Sequence, residues 1–189
     1  MLESLSIKNI TIIGHSMGGQ IALRYAFHYP NQVEHLFLLS PSSFMKKSPL
    51  FSRFIYHNRL SPPLIAHQLL KRKGVYEMLR QSMYHDHFIT KDMLKHYKEP
   101  FLDKRIYPCL IKILNDHQGD LSEDELQTIQ TPSTVIWGGK YDEIIPHEIG
   151  YELIRFLSDS TLTILDYTGH LISEEAPYYI AQRLMNIKH

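Results

Sequence analysis

Cysteine is almost missing from this chain. Cys109 is the only one in 189 residues, which excludes an internal disulfide and any Cys-x-x-Cys metal or redox framework. A lone thiol fits a reducing compartment, so a cytoplasmic location is the expectation. Long apolar runs are missing too. No stretch approaches the ~20 residues that a membrane-crossing helix needs, and residues 1–10 lack the layout of a signal peptide. Internal repeats and low-complexity tracts do not occur, which sets aside solenoids and linker-like segments. Charge of one sign is not in excess either, with 20 Lys and Arg against 20 Asp and Glu.

What is present is an ordinary globular composition. Apolar residues make up 43% of the chain, and its length suits one sizeable core rather than two full domains. The zero net charge hides an asymmetry. Residues 41–120 carry 14 basic and 7 acidic side chains, whereas the rest of the chain carries 6 and 13. The middle therefore differs in character from the two ends, as an inserted subdomain would. A solvated helical surface accounts for the excess of cations first; peripheral contact with anionic lipid or an acidic substrate comes second. Lys71-Arg72-Lys73 is too short a basic run to indicate nucleic acid.

Residues 9–13 form a β-branched apolar run, the pattern of a strand buried on both faces. Gly14 to Gly19 interrupt it, and a helix should then run to about Tyr29, with Ile21, Ala22, Tyr25, Ala26 and Tyr29 on one face and Pro30 beyond its end. Val33 to Leu39 reads as a second strand, parallel to the first across a right-handed crossover. From Pro41 to about Gln130 the chain reads as helices punctuated by Pro49, Pro62, Pro63, Gly74, Pro100, Pro108 and Gly119. Thr90 should cap a helix through Lys98, and Ser122 with Glu125 fits a capping box. Strands resume at Ser133–Trp137 and Thr161–Leu165, with helices from Pro146 to Leu157 and from Pro177 to Ile187. The fold class is α/β, a mostly parallel sheet with flanking helices, built from residues 1–40 and 131–189, with residues 41–130 as a helical cap.

The chemistry centres on Gly14-His15-Ser16-Met17-Gly18. This is a G-x-S-x-G motif placed between a buried strand and a helix, where a sharp turn would push the serine Oγ out at the strand's carboxyl end. The amides at the start of the following helix point to the same spot, so the Met17 N–H is a candidate oxyanion donor. A serine hydroxyl is a poor nucleophile at neutral pH; it needs a base, and the base needs a carboxylate to orient it. Among twelve histidines, His170 follows Gly169 on the loop after the fourth strand, at the carboxyl edge where Ser16 lies. Asp142 stands just beyond the third strand at that same edge. Asp166 is its rival, but lies so near His170 in sequence that a clean Nδ1 contact is harder to form.

The run Gly14-His15-Ser16-Met17-Gly18-Gly19, the loop Trp137-Gly138-Gly139-Lys140-Tyr141-Asp142 and the segment Gly169-His170 with Glu174-Glu175-Ala176-Pro177 together resemble the α/β-hydrolase superfamily. The nearest likeness is to capped serine esterases, monoacylglycerol lipase-like enzymes and meta-cleavage-product hydrolases. The resemblance covers nearly the whole chain, most loosely in the cap. It implies that Ser16 is acylated, that His170 acts as general base and then acid, that Asp142 holds the imidazole, and that residues 41–130 cover the acyl pocket. It also implies further strands ahead of residue 9 and a loop carrying a second oxyanion donor. With only eight residues before Asn9, the chain reads as lacking that half of the sheet, a truncated form. Strand 9–13 would then be an exposed apolar edge, open to a partner chain or a second copy.

Ester hydrolysis through an acyl-enzyme, of lipid or monoacylglycerol type, is the leading expectation. Hydrolysis of a carbon–carbon bond in a diketone-like substrate by the same triad is one alternative, and a non-catalytic small-ligand binder another. His15 and Phe44 are candidate substrate contacts. Met45, Met78, Met83, Met93, Phe51 and Phe54 could line an acyl pocket or simply fill a core. His85-Asp86-His87 lacks the further ligands that would close a metal site, so no metal and no cofactor are expected.

Overall fold

The computed structural model describes residues 7, 9–44, 74–103, 105–106, 108–109, 112 and 119–187. Met1–Ser6, Met45, Pro49, Phe51, Phe54, Pro62, Pro63 and Lys71-Arg72-Lys73 lie outside the described residues. Among the described residues four strands form one sheet: β1 (Ile10–His15), β2 (Val33–Leu39), β3 (Ser133–Gly138) and β4 (Ser160–Leu165). Their order in the sheet is their order in the chain, and every pairing is parallel. The helices include α1 (Met17–His28), α2 (Gly74–Ser82), α3 (Lys91–Lys98), α4 (Glu123–Gln127), α5 (Glu148–Leu153), α6 (Ile172–Glu175) and α7 (Pro177–Met185). Because parallel strands all point one way, the loops after β1, β2, β3 and β4 emerge at a single edge.

Neighbouring residues of a strand face opposite sides, and both sides of this sheet are covered. Leu36, Leu38, Val135 and Trp137 pack with Ala22, Leu23 and Ala26 of α1, Leu126 of α4 and Leu153 of α5. Phe37, Leu39 and Ile136 face the other way, against Ile172 of α6 and Ile180 of α7. That two-sided burial is why β2 and β3 read as continuous apolar runs rather than as alternating ones. Each such side chain contributes about 1.5–3 kcal/mol on leaving water. The indole of Trp137 is buried without an orphan donor, since its Nε1–H donates to the Ile145 carbonyl at 2.9 Å.

Among the described residues β1 is an edge strand, paired with β2 alone. Ile13 on β1 is 54% exposed and Ile21 on α1 59% exposed. An edge with apolar side chains beside it is open to another strand.

The element boundaries differ from the sequence pattern in instructive places. The helix expected from Pro146 to Leu157 is regular only over Glu148–Leu153. It is flanked by three-residue turns, with Ile149 N–H on the Pro146 carbonyl and Phe156 N–H on the Leu153 carbonyl, both at 3.1 Å. α7 starts at Pro177 as expected, but α6 precedes it without a sequence signal. Proline lacks an N–H and clashes with the preceding turn, so α6 cannot continue into α7. Thr90 caps α3 by accepting from Met93 N–H at 3.1 Å, and Ser122 with Glu125 closes the capping box of α4. Among its described residues, the stretch 41–130 contains helices and turns and no strand.

Candidate active site

Ser16 sits at the junction of β1 and α1 with φ 52° and ψ −120°, a conformation that costs a non-glycine residue on the order of 1–3 kcal/mol. Its surroundings hold it there. Ser16 N–H donates to the Leu39 carbonyl at the end of β2 (2.9 Å), while its own carbonyl accepts from Gly19 N–H and Ser42 N–H, both at 2.9 Å. Gly14 is required by the closeness of the turn: a Cβ there would lie 2.5 Å from the Gly18 carbonyl oxygen and 2.7 Å from Gly19 Cα. Met17 opens α1, so its N–H is among the amides that a helix start leaves without an intrahelical acceptor.

The loops after β3 and β4 bring Asp142 and His170 together. His170 Nδ1 lies 3.0 Å from Asp142 Oδ2; side-chain exposure is 7% for the histidine and 0% for the aspartate. The second carboxylate oxygen, Oδ1, accepts from Ile144 N–H (3.1 Å) and Ile145 N–H (2.9 Å). With both oxygens engaged, the carboxylate has one orientation, and Nδ1 faces an acceptor. The neutral imidazole then carries its proton on Nδ1 and its lone pair on Nε2. Asp166, the rival carboxylate of the sequence, is exposed and takes no part in this pair.

His15 is tied to the same loop. Its Nε2–H donates to the His170 carbonyl at 2.8 Å, and the two rings lie 4.8 Å apart at 45°. Burial pushes the His15 imidazole below its usual 6.5, against the opposing pull of the His170 backbone hydrogen bond. The neighbour of the serine thus grips the neighbour loop of the pair. Phe44 packs on the core side, with its ring 5.9 Å from Phe156 and one face on a cleft of about 500 Å3 shared with Asp120, Ser122 and Glu152. The rings of His85 and His87 meet each other and Phe88 in tilted and edge-on contacts, and among the described residues no three His, Cys, Asp or Glu side chains converge as a metal site.

Sequence reasoning missed Glu175, which it saw only as part of a matching run. Glu175 Oε2 accepts from Gly169 N–H at 2.7 Å. Its Oε1 accepts from Tyr84 N–H at 3.0 Å and His85 N–H at 2.9 Å. Next to it, Glu174 Oε1 accepts from the Tyr97 hydroxyl of α3 at 3.0 Å; burial and that bond raise the phenol to about 12. No local pattern could reveal these contacts, because the partners of Glu175 are backbone amides, two of them about ninety residues away, and the hydroxyl that Glu174 meets is 77 residues away.

The comparisons agree with this fold. A family model described as alpha/beta hydrolase fold matches residues 1–177. The uncharacterized hydrolase YugF of Bacillus subtilis is 33% identical over 187 residues, covering 97% of this chain and 67% of that protein. A 2-hydroxy-6-oxononadienedioate/2-hydroxy-6-oxononatrienedioate hydrolase of Burkholderia vietnamiensis is 24% identical over 178 residues, covering 90% and 59%. Among solved structures, a putative lipase from Acinetobacter baumannii superposes with a TM-score of 0.72 at 28% identity, covering 97% of this chain and 62% of that one. The chain thus spans 59% to 67% of the length of these three relatives. A match that runs from the first residue to the start of α7, and takes in every strand and every loop just described, makes this chain a member of the alpha/beta hydrolase fold family.

Proposed function

We propose that this chain carries the nucleophile of a serine hydrolase that cleaves carboxylic esters through an acyl-enzyme. The observation that carries the reading is the buried Asp142–His170 pair at the strand edge where Ser16 stands on its strained turn. Ser16 Oγ attacks the ester carbonyl carbon while His170 Nε2 takes its proton. Asp142 holds the Nδ1–H and stabilises the imidazolium that forms. The Met17 N–H faces the developing oxyanion, a kind of contact worth about 10²–10³ in rate. Collapse of the tetrahedral intermediate expels the alcohol, which takes the proton from Nε2. Water activated by the same nitrogen then releases the acid and restores Ser16. All of this runs on side chains and backbone amides.

In this reading residues 41–130 form a lid, and Phe44 and the methionines of α2 and α3 supply apolar surface for an acyl group. Similarity to a putative lipase supports esters of lipid type. The carbon–carbon hydrolase named among the relatives favours a second reading, in which the same triad cleaves a diketone-like substrate. Turnover of 4-nitrophenyl butyrate by the chain and by Ser16→Ala tests the first. Activity that falls to background in the variant supports it. Activity that survives intact removes Ser16 as nucleophile, and no ester turnover alongside Ser16-dependent cleavage of a vinylogous 1,5-diketone selects the second reading. A chain that binds such ligands without turnover would be a binder only.

A further inference from the structure

Two peptide groups around His170 are held by three separate hydrogen bonds. Gly169 N–H donates to Glu175 Oε2 (2.7 Å), the His170 carbonyl accepts from His15 Nε2–H (2.8 Å), and Leu171 N–H donates to the Ser82 carbonyl (3.0 Å). Two of the three lead to the chain leaving α2. Ser82 supplies its carbonyl directly, and Glu175 bridges, because its other oxygen accepts from Tyr84 and His85 N–H. The contact is close: a Cβ on Gly169 would lie 2.7 Å from the Ser82 carbonyl oxygen and 2.8 Å from Met83 Cα. The histidine loop therefore rests on residues 82–85 as on a mount, and Glu175 is the clamp between them.

We infer that Glu175 is a positioning residue for His170: its carboxylate locks the histidine loop to the segment after α2 and so fixes the imidazole against Asp142. The inference rests on His170 serving as the base proposed above. The chemistry of the carboxylate explains why a glutamate stands here. Both oxygens are acceptors, and three N–H groups converge on them with charge-assisted bonds. A glutamine has one acceptor oxygen and one NH2, so in either orientation its NH2 meets at least one of the backbone N–H groups head-on. Shape is kept and the clamp is lost. Because two of the three N–H groups belong to the stretch 41–130, any movement of that stretch is relayed to the imidazole.

The test compares Glu175→Gln, Glu175→Asp and His170→Ala with the unaltered chain in 4-nitrophenyl butyrate turnover, with the Nδ1–H proton resonance of His170 read by NMR. Misplacement of a catalytic group by about 1 Å costs up to about 10²-fold. Glu175→Gln should lower kcat on that order with KM little changed, and shift or broaden the Nδ1–H resonance. Glu175→Asp, which keeps both acceptor oxygens, should recover part of each. Wild-type kcat and an unmoved resonance in Glu175→Gln would overturn the inference. Wild-type activity in His170→Ala would instead overturn the base assignment on which it rests. Should Glu175→Gln fail to fold, amide exchange in the unaltered chain decides: Gly169, Tyr84 and His85 N–H must all be protected, and rapid exchange at Gly169 refutes the clamp.

Discussion

Asp142→Asn is the substitution whose outcome the geometry defines most narrowly. The carboxylate uses one oxygen for His170 Nδ1 and the other for Ile144 and Ile145 N–H. Asparagine can place its oxygen toward only one of these sides. Turned toward His170, it presents NH2 to two backbone N–H groups and leaves them unsatisfied in a partly buried loop, at no more than about 1–3 kcal/mol each. Turned the other way, it keeps both backbone bonds and offers NH2 to Nδ1, so one mismatch replaces two. The second orientation wins, and it reverses the imidazole tautomer. Nδ1 becomes the acceptor, Nε2 carries the proton, and the base has no lone pair for Ser16. Loss of the correct tautomer in a triad lowers kcat by roughly 10⁴, which corresponds to ~5.4 kcal/mol of transition-state stabilisation. Ester turnover across a substrate series, with thermal melting to check the fold, measures this. A well-folded Asp142→Asn chain within tenfold of wild type would refute the argument, and a larger fall in Asp166→Asn would transfer the role to the rival carboxylate.

Other outcomes follow from single contacts. Burial lowers the His15 pKa in the folded chain, so the unfolded state binds the extra proton first. Stability attributable to His15 should be intact above about pH 6.5 and should decline as pH falls below it. Melting temperatures from pH 8 to 5 should therefore drop less steeply in His15→Asn than in the unaltered chain, and parallel curves would count against it. Removing the α4 cap with Ser122→Ala should cost about 1 kcal/mol in urea unfolding, because it frees Glu125 N–H and removes the bond that the Ser122 hydroxyl donates to Glu125 Oε2. We propose further that the β1 edge takes a strand from a partner chain or second copy. Sedimentation velocity should then show association that Ile13→Lys suppresses, whereas a monomer at all concentrations, with no added strand bound, would exclude it.

The parts of this fold that were legible in the sequence are those set by local pattern. β2 and β3 are buried on both faces, so their apolar runs mark them without ambiguity, and the observed β2 has the expected limits of Val33 and Leu39. The Asp142–His170 pair was legible because parallel strands send the loops after β3 and β4 to one edge. Asp166 could be set aside only by its place near the end of its strand and its nearness to His170 in sequence; in the structure it is exposed, and Asp142 is the carboxylate on His170 Nδ1. Helix limits were less legible where tight turns flank a regular stretch, as around α5, and α6 is too short to carry a periodic signal. His15 was read as a substrate contact. The direction of its ring depends on the strained Ser16 turn, and the structure directs Nε2 to the His170 carbonyl. Glu175 was out of reach for a simpler reason: a side chain that binds backbone amides leaves no complementary residue type to find.

The central claim is that Ser16 is a nucleophile activated through His170. Intact-mass and peptide analysis after treatment with a fluorophosphonate tests it most directly, because the reagent needs an activated serine and does not depend on knowing the substrate. The account predicts one adduct per chain, mapped to the peptide containing Ser16, lost in Ser16→Ala and slowed by orders of magnitude in His170→Ala. A folded chain that takes no adduct at Ser16, or one that labels equally well without His170, would contradict it.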